Sequence, residues 1–297
     1  MTSSRKRFKK VHIEISNICN LQCSFCPEVL RENKMMDLGL FENIVNQVAP
    51  LTELVCFHLM GDPLVHPQLL KMIEICDKHH ANIFFVTNGV LLKPEKFELM
   101  LHKRLYQINF SLHSFFDNFP SKDPTNYLER IFSYTERALE ERPDLYLNFR
   151  LWNLNDPLSL PQNTQMLIRI CERFDYSPPT AIDVRKRKSF NIKQRLYLHF
   201  DTEFTWPAID LPVLGSSGTC YGLSSHFGVL VDGTVVPCCL DKEAAIPLGN
   251  VADRPILDIL GSKRSQDIIN GFKQNNLVEG LCKRCQYIER FDKNKVA

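Results

Sequence analysis

An α/β fold built from parallel strand-helix units is predicted for the first two thirds of this 297-residue chain, because strand-like apolar runs alternate with segments of helical period. A second observation sets the remainder apart: the alternation gives way to an Asp-Gly hairpin, a helix and a late pair of cysteines, as in a small second domain. The expected division is 1–205 and 206–297. Third, hydrophobic residues make up 44% and charged residues 24%, the proportions of an ordinary globular chain, long enough to bury a sizeable core.

The first strand is Val11-His12-Ile13-Glu14-Ile15. Leu40, Phe41, Ile44, Val45 and Val48 recur at helical spacing between Leu38 and Ala49, and Pro50 ends that helix. Glu53–Leu59 reads as a buried strand. Leu69, Leu70, Met72, Ile73 and Cys76 mark one face of a helix within Pro67–His80, with Pro67 near its start. Further strands are expected at Asn82–Val86, Tyr106–Leu112, Leu145–Leu151 and Ile182–Val184, and helices near Glu95–His102, Tyr127–Glu141 and Thr164–Phe174. Arg185-Lys186-Arg187-Lys188 reads as a solvated edge. Arg195–Leu214 shows no period and is expected to link the domains. Beyond it, Gly228 to Cys238 forms a hairpin around Asp232-Gly233, and a helix runs from about Ile256 to Phe272.

Charge and hydropathy exclude several classes of function. With 36 basic against 34 acidic residues the net charge is +2, so no global field points to nucleic acid or a membrane surface. The basic run Arg5-Lys6-Arg7 with Lys9-Lys10 reads as a solvated arm. Neither a signal peptide nor an apolar run of about 18–20 residues is present. The expected location is the cytoplasm, where thiols stay reduced, and eleven cysteines there indicate metal or redox chemistry rather than disulfides.

Cys19, Cys23 and Cys26 stand in one loop directly after the first strand, with no nearby fourth cysteine. Three thiolates can hold a metal while leaving it a vacant position; a zinc site would need a fourth ligand from afar. Their spacing, with Phe25 before the last cysteine, resembles the signature of the radical S-adenosylmethionine (radical SAM) superfamily. The resemblance implies a partial (β/α)6 barrel of TIM type, and a [4Fe-4S] cluster on Cys19, Cys23 and Cys26 whose fourth iron binds S-adenosylmethionine. One electron then cleaves that sulfonium to a 5'-deoxyadenosyl radical, which abstracts a substrate hydrogen.

In barrels of this type chemistry gathers at the C-terminal ends of the strands. Met60-Gly61-Asp62-Pro63 lies at such an end and resembles the family's Gly-Gly-Glu-Pro segment, which binds the amino group of the cosubstrate. Met60 and Asp62 depart from that pattern, so the backbone role transfers more safely than the side-chain role. Thr87-Asn88-Gly89 is by itself a turn; in the family it shapes the mouth near the cofactor, which makes Asn88 a binding candidate. Ser111, by the same resemblance, bonds the ribose or carboxylate of the cosubstrate, or else only backbone. Arg150 requires an anionic partner, either that carboxylate or Glu14. Arg150, His113 and Glu14, in that order, are candidates for the base that an alcohol oxidation needs.

A second cysteine set comprises Cys220, Cys238 or Cys239, Cys282 and Cys285. Four thiolates ending in a close pair are also an ordinary structural zinc arrangement. Hairpin, helix and final pair resemble the SPASM or shorter twitch domain appended to many radical SAM enzymes, such as those like 2-deoxy-scyllo-inosamine dehydrogenase. That resemblance selects Cys238 and implies one fully ligated auxiliary [4Fe-4S] cluster. Cys56, Cys76 and Cys171 sit in apolar patterns and read as core.

The expected function is that of a radical SAM oxidoreductase carrying out a two-electron oxidation of a small molecule, with the auxiliary cluster as electron acceptor and flavodoxin or ferredoxin as donor. A peptide or protein maturase is the alternative. The cysteine motif begins at residue 19, without room ahead of it for the usual winged-helix leader-binding segment, which weighs against that alternative. A zinc-stabilised binding module without enzymatic activity is the third reading.

Overall fold

A computed structural model describes residues 7–153, 161–178 and 182–291. In chain order the elements are β1 (Phe8–Ile13), α1 (Leu38–Val48), β2 (Thr52–Cys56), α2 (Leu69–Lys78), β3 (Asn82–Thr87), α3 (Phe97–Met100), β4 (Leu105–Ser111), α4 (His113–Asn118) and α5 (Thr125–Glu141). These are followed by β5 (Tyr146–Leu151), α6 (Pro161–Phe174), β6 (Ser189–Lys193), β7 (Leu196–Phe200), β8 (His226–Val229), β9 (Thr234–Val236), β10 (Gly249–Asn250), α7 (Ile256–Gly261) and α8 (Lys263–Lys273). Two compact units result, one of Met1–Cys19, Pro27–Ile83 and Phe204–Ala297, the other of Asn20–Cys26 and Phe84–Glu203.

In the first unit β1 pairs in parallel with β2 on one side and with β8 on the other, and β9 and β10 extend the sheet antiparallel from β8. The α1 helix connects β1 to β2; Asp37 caps it by accepting from Leu40 N at 2.9 Å. Its buried face of Phe41, Ile44, Val45 and Val48 follows the predicted spacing, and Phe41 meets Phe57 edge to face at 5.4 Å. The β8–β9 hairpin turns at Gly233, whose φ of +88° is the left-handed geometry for which glycine is suited.

In the second unit β4, β5 and β7 are mutually parallel, and β6 pairs antiparallel with β7. Strand alternation sorts their side chains: Ile108, Phe110, Leu147 and Phe149 are wholly buried, and Phe132 and Phe174 of the helices pack on Phe149 at 5.8 Å. The opposite faces carry Asn109, Ser111, Asn148 and Arg150, so strand alternation aims the polar candidates away from the apolar layer, Asn109 and Asn148 being buried as well. Among the described residues, no helix is long and apolar enough to cross a membrane.

Four sequence expectations are corrected. Residues 182–184 form no strand; the parallel partner of β5 is β7, inside the stretch expected to be a linker. There Leu196, Leu198 and Phe200 are buried and alternate with Tyr197 and His199, a pattern too short and too polar on one face to stand out. The charge run is not wholly solvated, because Lys188 pairs with the buried Asp201 at 2.8 Å. Finally, the helix expected over 256–272 is two helices, broken at Ser262, whose extended backbone (ψ 154°) ends α7 and whose side chain caps α8.

Candidate active site

The loop that carries the first cysteines is secured in the second unit by α4. Asn118 Nδ2 donates to Cys23 Sγ at 3.1 Å while its Oδ1 accepts from Gln22 N at 2.8 Å. Asp117 accepts from Ser24 N and Ser24 Oγ, each at 2.6 Å. Phe25 packs its ring against His113, 4.7 Å between centroids. The Cys26 thiol donates to Cys23, and with the Asn118 amide and Ser114 it draws the Cys23 pKa down to about 7 against the opposing effect of burial. A thiol so readily ionised suits ligation of a positively charged iron site, and Cys19 and Cys26 are exposed on the same short loop.

Gly61 and Asp62 belong to the first unit and lie against the backbone just before Cys19. Gly61 has φ +74°, and a Cβ there would stand 2.5 Å from Ser16 O and 2.7 Å from Ile18 O. Asp62 N donates to Ile18 O at 3.0 Å. The Asp62 carboxylate is buried and caps the short turn Pro63–Val65 through Leu64 N at 2.9 Å. Met60, beside them, packs on a small cluster of Leu59, Leu230 and Val236. This segment is therefore positioned relative to Cys19 by main-chain contacts.

The remaining candidates lie in the second unit. Gly89 turns at φ +75°, with Thr87 Oγ1 accepting from its N–H at 3.0 Å. Asn88 Nδ2 donates to Asn20 Oδ1 at 2.9 Å, joining this turn to the cysteine loop. Tyr127 Oη donates to Asn88 O at 2.7 Å, and the Tyr127 ring stacks on Phe115 at 4.5 Å. Ser111 and Arg150 are register partners across β4 and β5. The Arg150 guanidinium lies over the Trp152 ring at 4.1 Å, and the Asn109 amide, in the orientation that satisfies its neighbours, accepts from Arg150 Nε at 2.8 Å. His113 Nδ1 donates to Arg150 O at 3.1 Å; burial, with the nearby guanidinium, lowers its pKa to about 4. Glu14, the other anionic group considered for Arg150, is committed to Arg31 at 2.7 Å and to Val231 N at 3.0 Å.

The second cysteine set converges in the first unit. Burial raises the pKa of Cys220, Cys238, Cys282 and Cys285. Cys238 feels Cys239, Cys220 and Cys282, and both Cys282 and Cys285 feel Cys220. Thiolates crowded in this way repel one another unless a cation lies among them, which is the donor chemistry of an iron-sulfur cluster. Cys239, raised by burial to about 11, also feels Cys220 and Cys285, and it packs on the Leu59, Leu230 and Val236 cluster.

Several contributors were not visible in the sequence. Ser114, Asp117 and Asn118 lie on a six-residue helix too short to show a period, and nothing local marks them as partners of a loop more than ninety positions away. Arg31 and Lys242 tie the segment after the cysteine loop to the second cysteine set: Arg31 Nε donates to Lys242 O at 2.6 Å, and Lys242 Nζ to Glu28 O at 2.5 Å. Such long-range pairs leave no trace in spacing.

Comparison with known proteins finds two family domains in the chain. Residues 13–154 match the family model of the radical SAM superfamily, and residues 220–286 match SPASM, an iron-sulfur cluster-binding domain. The chain is 30% identical over 108 residues to a tungsten-containing aldehyde ferredoxin oxidoreductase cofactor-modifying protein of Pyrococcus furiosus, spanning 35% of this chain and 30% of that protein. It is 22% identical over 116 residues to an S-adenosyl-L-methionine-dependent 2-deoxy-scyllo-inosamine dehydrogenase of Niallia circulans, spanning 37% and 46%. These matches thus span less than half of the relatives' own lengths. In fold the chain is similar to BtrN in complex with AdoMet and 2-DOIA, with TM-score 0.57, 16% identity and coverage of 95% and 94%. It is also similar to Streptococcus suis SuiB bound to precursor peptide SuiA, with TM-score 0.61, 15% identity and coverage of 97% and 74%.

Proposed function

This chain is a radical SAM enzyme with a C-terminal SPASM domain, and on that premise we propose that it is an oxidoreductase removing two electrons from a small molecule. Its cofactors are S-adenosylmethionine with a [4Fe-4S] cluster in the radical SAM domain, and an auxiliary iron-sulfur cluster in the SPASM domain. Cys19, Cys23 and Cys26 hold the first cluster in this reading, and Cys220, Cys238, Cys282 and Cys285 the second. When bound, these groups supply a hydrogen-abstracting radical and an electron acceptor.

The observation that carries the proposal is the second set: four cysteines saturate a cluster, leaving it no position for substrate and suiting it to electron transfer. Around the first set, Phe25, Met60, Gly61, Asp62, Asn88 and Ser111 are the proposed cosubstrate contacts, chiefly through the Met60–Gly61 backbone. Oxidation of an alcohol releases two electrons and two protons. One proton leaves with the abstracted hydrogen, and His113, neutral at pH 7, is the proposed acceptor for the other. Arg150, permanently charged, is proposed to orient an anionic group beside it. The boundaries 1–205 and 206–297 are the proposed functional domains, with a flavodoxin- or ferredoxin-type protein as electron donor.

Peptide modification is the second reading, and likeness in fold to a peptide-bound SuiB favours it. The test compares wild type, Cys23→Ala and Cys282→Ala after anaerobic reconstitution. Cys23→Ala is expected to form no 5'-deoxyadenosine, whereas Cys282→Ala forms it but releases no oxidised product. Deuterium carried into 5'-deoxyadenosine from a labelled polyol supports the small-molecule reading; transfer only from a labelled peptide overturns it. Normal turnover by Cys282→Ala removes the electron-acceptor role.

A further inference from the structure

We propose that His12, Cys56 and His58 form a third metal site, for a zinc-class divalent cation, that uses none of the cysteines of either set. The three lie in the first unit, and their ligand atoms are within 4.8 Å of one another. Their convergence begins in the sheet, where His12 of β1 and Cys56 of β2 are register partners, and His58 follows two residues beyond the end of β2. His12 Nδ1 donates to His58 O at 3.1 Å, which fixes the tautomer that leaves Nε2 with the lone pair a metal needs. The two imidazoles cross edge to face, 5.2 Å between centroids, so they do not stack and block each other.

Two imidazoles and one thiolate are a borderline-soft donor set, which first-row ions such as zinc accept with a fourth position left open. Bonds of about 2.0–2.3 Å would bring the donors to roughly 3.3–3.8 Å apart, a closure of about 1 Å that side-chain rotation can supply. His12 and Cys56 are buried and His58 is half-buried, so entry is from the His58 side. Lys10 and His226 both lie near His12, and neither is a donor of the trio. Glu14, next along the same face of the strand, is held by Arg31 and Val231. Lys10 opposes a cation, and the Cys56 thiolate offsets that opposition.

The test uses holoprotein with both clusters in place, so that the cluster cysteines do not take up zinc. After anaerobic equilibration with zinc chloride and gel filtration, wild type is expected to retain about one zinc per chain beside about eight irons. His12→Ala and Cys56→Ala should each reduce zinc at least tenfold with iron unchanged. Zinc that is absent from wild type, or equal in the variants, overturns the site. Should the variants fail to fold, the zinc-edge X-ray absorption of wild type decides. A shell of two imidazoles and one sulfur supports the proposal, and an all-sulfur shell overturns it.

Discussion

Arg31 Nη2 lies 2.7 Å from Glu14 Oε1, and the Glu14 side chain is wholly excluded from water. The same carboxylate accepts from Val231 N, and the same guanidinium donates to Lys242 O, so one ion pair joins β1, the segment after the first cysteines and the region around the second set. Removing one partner leaves an uncompensated buried charge. Arg31→Met is expected to destabilise the protein by about 3–5 kcal/mol, with much of the loss recovered in the double variant Glu14→Leu/Arg31→Met. Denaturant midpoints through a double-mutant cycle measure this; additive losses would show that the pair is not coupled.

Gly61→Ala places a methyl group against two backbone oxygens at a positive φ, so the chain before Cys19 must move. We expect at least tenfold weaker S-adenosylmethionine binding by equilibrium dialysis, equivalent to about 1.4 kcal/mol. Gly261→Ala is the control, since a Cβ there meets nothing within 4 Å. Equal affinity in wild type and Gly61→Ala would refute the close approach.

Stability should fall as the pH drops from 7 to 5. Burial lowers His113 from the usual 6.5 to about 4, so between these values the unfolded chain binds the proton that the folded one refuses. The contribution of His113 is present in full above about 6.5 and is progressively lost below it. Replacing it in His113→Gln is expected to remove about 2 kcal/mol of the loss between pH 7 and pH 5. Urea midpoints across that range test the claim, and parallel pH profiles for the two proteins would contradict it.

Adjacent cysteines should behave differently. Cys238→Ser is expected to lower iron from about eight to about four per chain, whereas Cys239→Ser retains about eight. The reason is that Cys239 packs on Leu59, Leu230 and Val236; both thiols feel Cys220, Cys238 together with Cys282 and Cys239 together with Cys285, so the apolar packing is what separates them. Iron analysis of the two variants decides, and the reverse pattern exchanges their roles.

What could be foreseen depended on how local the determining interaction was. The α1 face and the Asp232-Gly233 hairpin are written in neighbouring residues, and both stand where periodicity and turn chemistry put them. Both cysteine sets stand out as candidates because spacing in the loop and in the last pair is itself local. By contrast, β7 hid its apolar residues between Tyr197 and His199, and Ser262 breaks a helix that apolar periodicity alone would continue. Asn118 and Asp117 reach the cysteine loop only because β4 and α4 are folded, and no pattern in the chain encodes that meeting.

The parallel pairing of β8 with β1 bears on how this architecture can be cut or recombined. Four register pairs, Lys10↔His226 to Ile13↔Val229, cover one flank of β1. A truncated chain ending near residue 205 would bare that flank as an open row of backbone donors and acceptors, a template for pairing with another chain. The auxiliary segment therefore acts as the edge guard of the sheet, and a chimera that exchanged it would have to carry a matching strand or precipitate.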